Sequence, residues 1–200
     1  MSYPKYEITG VILAGGRARR MGGVDKGLSV LAGRPMLEHV LAALKPQVTK
    51  VIINANRNLD AYREFGCDVV SDVVGDYSGP LAGMASGMKS AATPYVVTVP
   101  CDSPLIAGNL VARLYHTLDA NDAEVCVVHD GKRTHPVFLM LRRDLLSSML
   151  AFLDAGERKI DKWFAKHRLA VCDFSDQPEA FMNVNHPQEL EALEQSVINR

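Results

Sequence analysis

Hydrophobic residues fall along the chain in two rhythms that alternate with few interruptions. Continuous apolar runs at 7–13, 50–55, 67–72, 95–102, 123–129, 136–141 and 169–174 read as buried strands. Between them, segments 35–44, 58–65, 79–92, 105–120, 144–155, 160–167 and 187–197 read as helices. Met36, Val40 and Leu44 share one face of the first helix, where Pro35 suits the first turn. Leu190, Leu193 and Val197 share a face of the last. Gly83, Met84, Gly87 and Met88 point to close packing of the helix that carries them. Strand–helix alternation with unbroken apolar strands predicts an α/β fold: a mostly parallel, twisted sheet with helices on both faces. The link at 130–135 is too short for a crossover helix, so one local antiparallel strand is expected. No repeat, low-complexity tract or linker divides residues 1–200, which read as a single domain.

That architecture directs attention to the loops. Parallel sheets bind ligands beyond the carboxyl ends of their strands, near the point where strand order reverses. The segments concerned are 14–26, 54–57, 72–80, 102–104 and 129–135. Composition narrows the ligand. With 48% hydrophobic and 22% charged residues, the chain is an ordinary globular protein. Its 22 basic and 23 acidic residues leave a net charge of −1, unlike a dedicated nucleic-acid binder. The longest apolar region, 136–153, is cut by Arg142, Arg143 and Asp144, so no membrane span is expected. Residues 1–9 are polar and lead straight into a strand, which predicts no signal peptide and a cytoplasmic protein. Cys67, Cys101, Cys126 and Cys172 stand alone and read as reduced thiols, not as disulfides or a zinc site.

Charge is concentrated after the first strand. The loop LAGGRARRMGGVDKGL, residues 13–28, holds Arg17, Arg19, Arg20 and Lys26 among glycines, against Asp25 alone. Glycines let backbone N–H groups approach an anion closely, and the cations match the roughly four negative charges of a triphosphate. Lys26 lies between Asp25 and Gly27, so the loop is no Walker A motif. Its glycines are adjacent, and a long cationic stretch follows, unlike a dinucleotide fingerprint. Asp102 ends an apolar run before Pro104, a natural place for a Mg²⁺ ligand beside phosphates, or for a helix cap. Asn54 and Asp72 also end strands, where Asn and Asp either form turns or meet a ligand. No Ser/His/Asp or Cys/His arrangement emerges by spacing. His129 reads as a strand-end polar residue, while His135 has the option of a ligand contact. His39 and His116 are expected to face solvent, and Trp163 and Phe164 to pack in the core.

The loop resembles the LAGGxxxRMGxxDKxL signature of nucleotidyltransferases of the molybdenum cofactor guanylyltransferase family. Further matches follow: Asn54-Ala55-Asn56-Arg57, Asp72, the GPLAG turn at 79–83, CDSP at 101–104, HDG at 129–131 with His135-Pro136, AGER at 155–158 and NVN at 183–185. The resemblance spans residues 10–190. It implies a Rossmann-like, nucleotide-diphospho-sugar transferase-like fold, with a nucleotide-binding half at about 1–105 and an acceptor-binding half at about 106–200.

The reaction it implies is transfer of GMP from GTP to the terminal phosphate of molybdopterin, or of its molybdenum-loaded form, with release of pyrophosphate. GTP would be bound by Leu13, Ala14, Gly15, Gly16, Lys26, Asn54, Asp72 and Asp102. Lys26, Asp102 and Arg19 would carry the chemistry, with Mg²⁺ on Asp102. Gly23, Pro80, Leu81, Ala82, Asn183 and Asn185 would face the acceptor. Sugar-phosphate relatives keep a second carboxylate in the late element, where this chain has only Asn183 and Asn185. Other molybdenum-cofactor biosynthesis and delivery proteins are the partners implied; nucleic acid and membrane are not. Alternatives are a cytidylyl- or sugar-phosphate nucleotidyltransferase, or a non-catalytic nucleotide or cofactor carrier.

Overall fold

The first strand is apolar on both faces and is flanked on both sides. β1 (Ile8–Leu13) pairs in parallel with β4 (Lys50–Asn54) on one side and with β6 (Tyr95–Pro100) on the other. This computed structural model describes residues 2–16, 25–73, 79–184 and 189. Among them a seven-stranded sheet runs β5-β4-β1-β6-β8-β7-β9. β5 (Asp68–Val70) continues the parallel set beyond β4, and β9 (Leu169–Asp173) lies parallel to β7 (Val125–His129). β8 (Thr134–Arg142) is the one antiparallel strand of this sheet, and it forms antiparallel ladders with both β6 and β7. The short link after β7 predicts this, because it closes a hairpin and not a crossover.

Successive strand residues point to opposite faces, which sorts the core into two layers. Ile12, Ile53, Val97 and Met140 face α1 (Met36–Leu44), α2 (Leu59–Arg63) and α4 (Leu110–Ala120). Val11, Ile52, Val96 and Leu141 face α3 (Pro80–Ser90), α5 (Leu146–Asp154) and α6 (Ile160–Phe164). Trp163 and Phe164 are buried in the second layer, as expected. The chain moves outward from β1 through α1, β4, α2 and β5, then α3 returns it across the other face to β6. Strand order therefore reverses at β1. Crevices in such sheets open where neighbouring strands leave in opposite directions.

Element ends differ from the sequence expectation in physically readable ways. A two-residue hairpin of β2 (Val30–Leu31) and β3 (Arg34–Pro35) precedes α1. Its turn needs positive φ at Ala32 (48°) and Gly33 (77°), a combination that Ala conceals. Helix α4 starts at Leu110 and not near residue 105, because Pro104 and the Gly108-Asn109 pair keep 101–109 in turns. His39 and His116 are half-buried, not solvent-facing: the His39 ring meets Leu31 O at 2.9 Å. The cysteines are free thiols. The helix expected at 187–197 lies, apart from Glu189, outside the described residues.

Two packing details matter for the site. Between β7 and β8 the register slips: Val127 faces Leu139, but Val128 faces His135. Pro136, Val137 and Phe138 therefore bulge from the ladder, a place where proline is tolerated. Helix α3 lies close to the sheet through glycine. A Cβ on Gly87 would stand 2.6 Å from both methyl carbons of Val11. Gly87→Ala should thus destabilise the fold by about 1–3 kcal/mol despite its better helix propensity. Urea unfolding checks this, and Val11→Ala in the same chain should recover most of the loss.

Candidate active site

The carboxyl ends of β1, β4 and β6 meet in one cleft of about 350 Å³. Leu13, Gly15, Gly16, Asn54, Asp72, Gly79, Pro80, Pro100, Asp102, Val137 and Asn183 line it. The backbone first fixes its floor: Ala14 N–H donates to Asn54 O at 2.8 Å, and Cys101 N–H to Leu13 O at 3.1 Å. These bonds extend the β1 ladders one residue past the strand, so the glycines emerge between two anchored neighbours.

One end of the cleft carries carboxylate and amide. Asn54 is 2% exposed, and its Nδ2 donates to Asp72 Oδ1 at 3.0 Å. Asn56 Nδ2 donates to the other oxygen, Oδ2, at 2.8 Å, while Asn56 Oδ1 accepts Asp72 N–H at 2.9 Å. Helix α3 covers this end. A Cβ at Gly83 would lie 2.3 Å from Asn54 Oδ1, so glycine is what lets the helix approach. The Gly79–Pro80 turn belongs to this end. Pro80 lines the cleft, but Leu81 and Ala82 are fully buried in the core beneath it, which closes their side chains to a ligand.

The other end carries the charges. Lys26 Nζ donates to Asp102 Oδ2 at 2.8 Å. Asp102 is 8% exposed, and its Oδ1 is buried without a hydrogen-bond partner. An unpartnered carboxylate oxygen at a cleft wall is costly unless something binds it, so it marks a ligand position. Val184 N–H donates to Asp102 O at 2.8 Å, and Ser103 Oγ donates to Asn183 Oδ1 at 3.0 Å. The late segment is thereby pinned beside Asp102. Among the described residues no cluster of three or more His, Cys, Asp or Glu side chains forms a metal cage. Burial and the neighbouring Asp102 charge push the Cys101 thiol pKa far up, which leaves it neutral and unreactive.

Asp25 differs from its sequence reading as the lone counter-charge of the loop. It is 2% exposed and paired with the Arg57 guanidinium, and Asn58 Nδ2 donates to its Oδ2 at 2.7 Å. Its backbone O accepts Leu28 N–H at 2.9 Å and Ser29 N–H at 3.1 Å. This clamp holds the turn that presents Lys26, and the Asp25 charge is spent inside it. Asn56, Arg57, Asn58, Ser103 and Val137 join the site without having been assigned a role from sequence. Asn54 and Asn56 stand two residues apart at a strand end, a spacing that puts both on one side and signals a shared partner. Arg17, Arg19, Arg20, Gly23 and Asn185 lie outside the described residues.

Beyond the cleft, the β7–β8 turn is set by Asp130. Its Oδ1 accepts the N–H groups of Lys132 (2.8 Å) and Arg133 (2.7 Å), and Oδ2 meets His135 Nε2 at 2.7 Å. His135 is 7% exposed and packs on Phe138 and Phe181. The His135 hydrogen bond, then the turn N–H groups, hold the Asp130 carboxyl well below its ordinary value. A folded pKa depressed in this way contributes stability above the unfolded value of about 3.9 and loses it as pH falls toward the folded one. Asp130→Asn should therefore be less stable than the parent at pH 6, with the gap closing below about pH 4. Urea midpoints across that range check it.

Comparison with known proteins shows the family and the fold. The model of the MobA-like NTP transferase domain matches residues 10–171. The molybdenum cofactor guanylyltransferase of Shewanella pealeana is 53% identical over 193 residues, 96% of each chain. In structure, the molybdopterin-guanine dinucleotide biosynthesis protein A of Archaeoglobus fulgidus superposes with a TM-score of 0.79 at 17% identity, covering 96% of this chain and 100% of that one. The 2-C-methyl-D-erythritol 4-phosphate cytidylyltransferase of Thermus thermophilus superposes with a TM-score of 0.70 at 16% identity, over 95% and 98% of the chains. The last two share the fold.

Proposed function

The chain belongs to the MobA-like NTP transferases, and from that membership we propose that it transfers GMP from GTP to the terminal phosphate of molybdopterin. It is a nucleotidyltransferase, and molybdopterin guanine dinucleotide and pyrophosphate are its products. The observation that carries the reading is the cleft itself. It joins a carboxylate–amide end at Asp72 to a lysine–carboxylate end at Asp102. Asp72 follows β5 and Asp102 follows β6, with two strands between them. Two intervening strands make three strand spacings, roughly 14 Å, a separation that an extended nucleotide bridges from its base to its phosphates.

The residues take roles from their positions. Leu13, Ala14, Gly15 and Gly16 bring backbone to the nucleotide between the two ends. Asn54 and Asp72 hold the nucleoside. Lys26, with Arg19 and the other loop arginines, neutralises the phosphates. Nucleotidyltransferases typically use a divalent metal, and Mg²⁺ is the ion this site suits. The buried, unpartnered Asp102 Oδ1 fits a hard cation that takes one carboxylate plus phosphate oxygens and water. When bound there, the ion supplies charge neutralisation at the α-phosphate. Asn183, pinned through Ser103, offers a carbonyl oxygen on the same side.

No general base is required. The second pKa of a phosphate monoester is near 6, so the acceptor is already an anionic nucleophile at neutral pH. One of its oxygens forms the new bond to the α-phosphorus while the bond to the β-phosphate oxygen breaks in line. The electron pair leaves with pyrophosphate. Lys26 counters charge on the leaving group, and positioning supplies the rest. The nucleotide-binding half would be about 1–105 and the acceptor-binding half about 106–200. Val137 and Asn183 come to the cleft from the second half. Other molybdenum-cofactor biosynthesis and delivery proteins would supply the pterin and take the product.

Incubation with GTP, Mg²⁺ and molybdenum-loaded molybdopterin should release pyrophosphate and guanylate the pterin. Turnover with CTP and not GTP would assign a cytidylyltransferase instead. GTP binding without turnover would leave only a carrier. Asp102→Ala and Lys26→Ala should each lower kcat/KM by about 10²–10³, measured by pyrophosphate release.

A further inference from the structure

We propose that Asn56 is a positioning residue for base selection: it fixes the Asp72 carboxylate so that both oxygens meet the adjacent donors of a guanine edge. This deepens the function proposed above and rests on it.

Asn56 does not line the cleft; it works through Asp72, which does. Its amide holds Asp72 at two points, donating to Oδ2 at 2.8 Å and accepting the backbone N–H at 2.9 Å. Asn54 Nδ2 holds the other oxygen at 3.0 Å. The next residue is tied as well: Val73 N–H donates to Ser86 Oγ at 2.9 Å, and Ser86 Oγ donates to Ala82 O at 2.8 Å. Backbone, carboxylate tilt and both oxygens are thus set before any ligand arrives.

Each carboxylate oxygen has about two acceptor positions, and each amide uses one. What remains for the cleft is a fork of two parallel acceptors. Guanine presents N1–H and N2–H side by side, which such a fork accepts bidentately. Adenine offers a donor beside an acceptor. Cytosine does the same, and uracil sets one donor between two acceptors. A rigid fork therefore discriminates, whereas a carboxylate free to rotate would settle for one donor and accept several bases. Asn56 supplies the rigidity from outside the binding surface.

The test separates guanine selection from general binding. Inosine triphosphate keeps N1–H and lacks the N2 amino group. With Mg²⁺ present, calorimetry on the parent should find GTP bound roughly ten- to a hundredfold more tightly than inosine triphosphate, the value of one hydrogen bond to a charged group. In Asn56→Ala that ratio should fall to about threefold or less. GTP KM should rise on the order of tenfold, with kcat within about threefold of the parent. Asn56→Ser keeps a shorter hydrogen-bonding side chain and should retain an intermediate ratio. Asp72→Asn turns one acceptor of the fork into a donor. It should shift preference toward xanthosine triphosphate, whose 2-position is a carbonyl. Thermal melting of each variant confirms folding. Equal weakening of GTP and inosine triphosphate in a folded Asn56→Ala, or a fall in kcat at unchanged KM, would overturn the role of Asn56 alone. Failure of the parent to bind GTP would overturn the guanylyltransferase reading and this proposal with it.

Discussion

Everything at the cleft depends on one constraint of parallel sheets: β1 has neighbours that leave it in opposite directions. α1 and α2 carry the chain outward on one face, and α3 brings it back on the other. The carboxyl end of β1 consequently lies where a crevice opens between the two helix layers. Short backbone bonds from Ala14 and Cys101 keep that opening from closing or drifting. The glycines that follow need no side chains to define their place, because their neighbours on both sides are already fixed.

The last residue of β4 and the four that follow it convert this opening into a site with two coordinated ends. Asn54 and Asn56 reach toward Asp72, while Arg57 and Asn58 reach toward Asp25 and so toward the turn that presents Lys26. A single short turn thus sets both the Asp72 carboxylate at one end of the cleft and, through Asp25, the lysine at the other. Its own conformation is demanding, with Asn58 at a φ of 50°. Asn tolerates that region better than most residues, which accounts for its use at the last position.

The mostly parallel sheet with helices on both faces was legible in the sequence because buried parallel strands are apolar on both sides and helices are not, but the strand order was not. The antiparallel strand was legible from the length of one link. Asp102 and Lys26 stood out because a carboxylate after a strand and a cation in a glycine loop are each unusual. The hairpin before α1 was not legible: two residues per arm leave no periodicity, and Ala32 disguises a positive φ. Nor was the Asp25–Arg57 pair, since 32 positions separate its members and each reads alone as a surface charge. Leu81 and Ala82 sit inside a matched motif yet face the core, because a helix starting at Pro80 turns them inward. Motif resemblance locates a segment, but helical phase decides which of its side chains a ligand meets.

The bulge of β8 carries a separate consequence. Pro136, Val137 and Phe138 leave the ladder between two stretches whose register is secure, and Thr98 Oγ1 donates to Val137 O at 2.6 Å to hold the excursion. Val137 meets the cleft from there. Val137 can be exchanged here without sliding either flanking strand, whereas Phe138 is buried in the core. The wall at Val137 can thus vary without a change of register in the strands that flank it. One scaffold can re-shape that wall of the cleft while the ends at Asp72 and Asp102 keep their geometry.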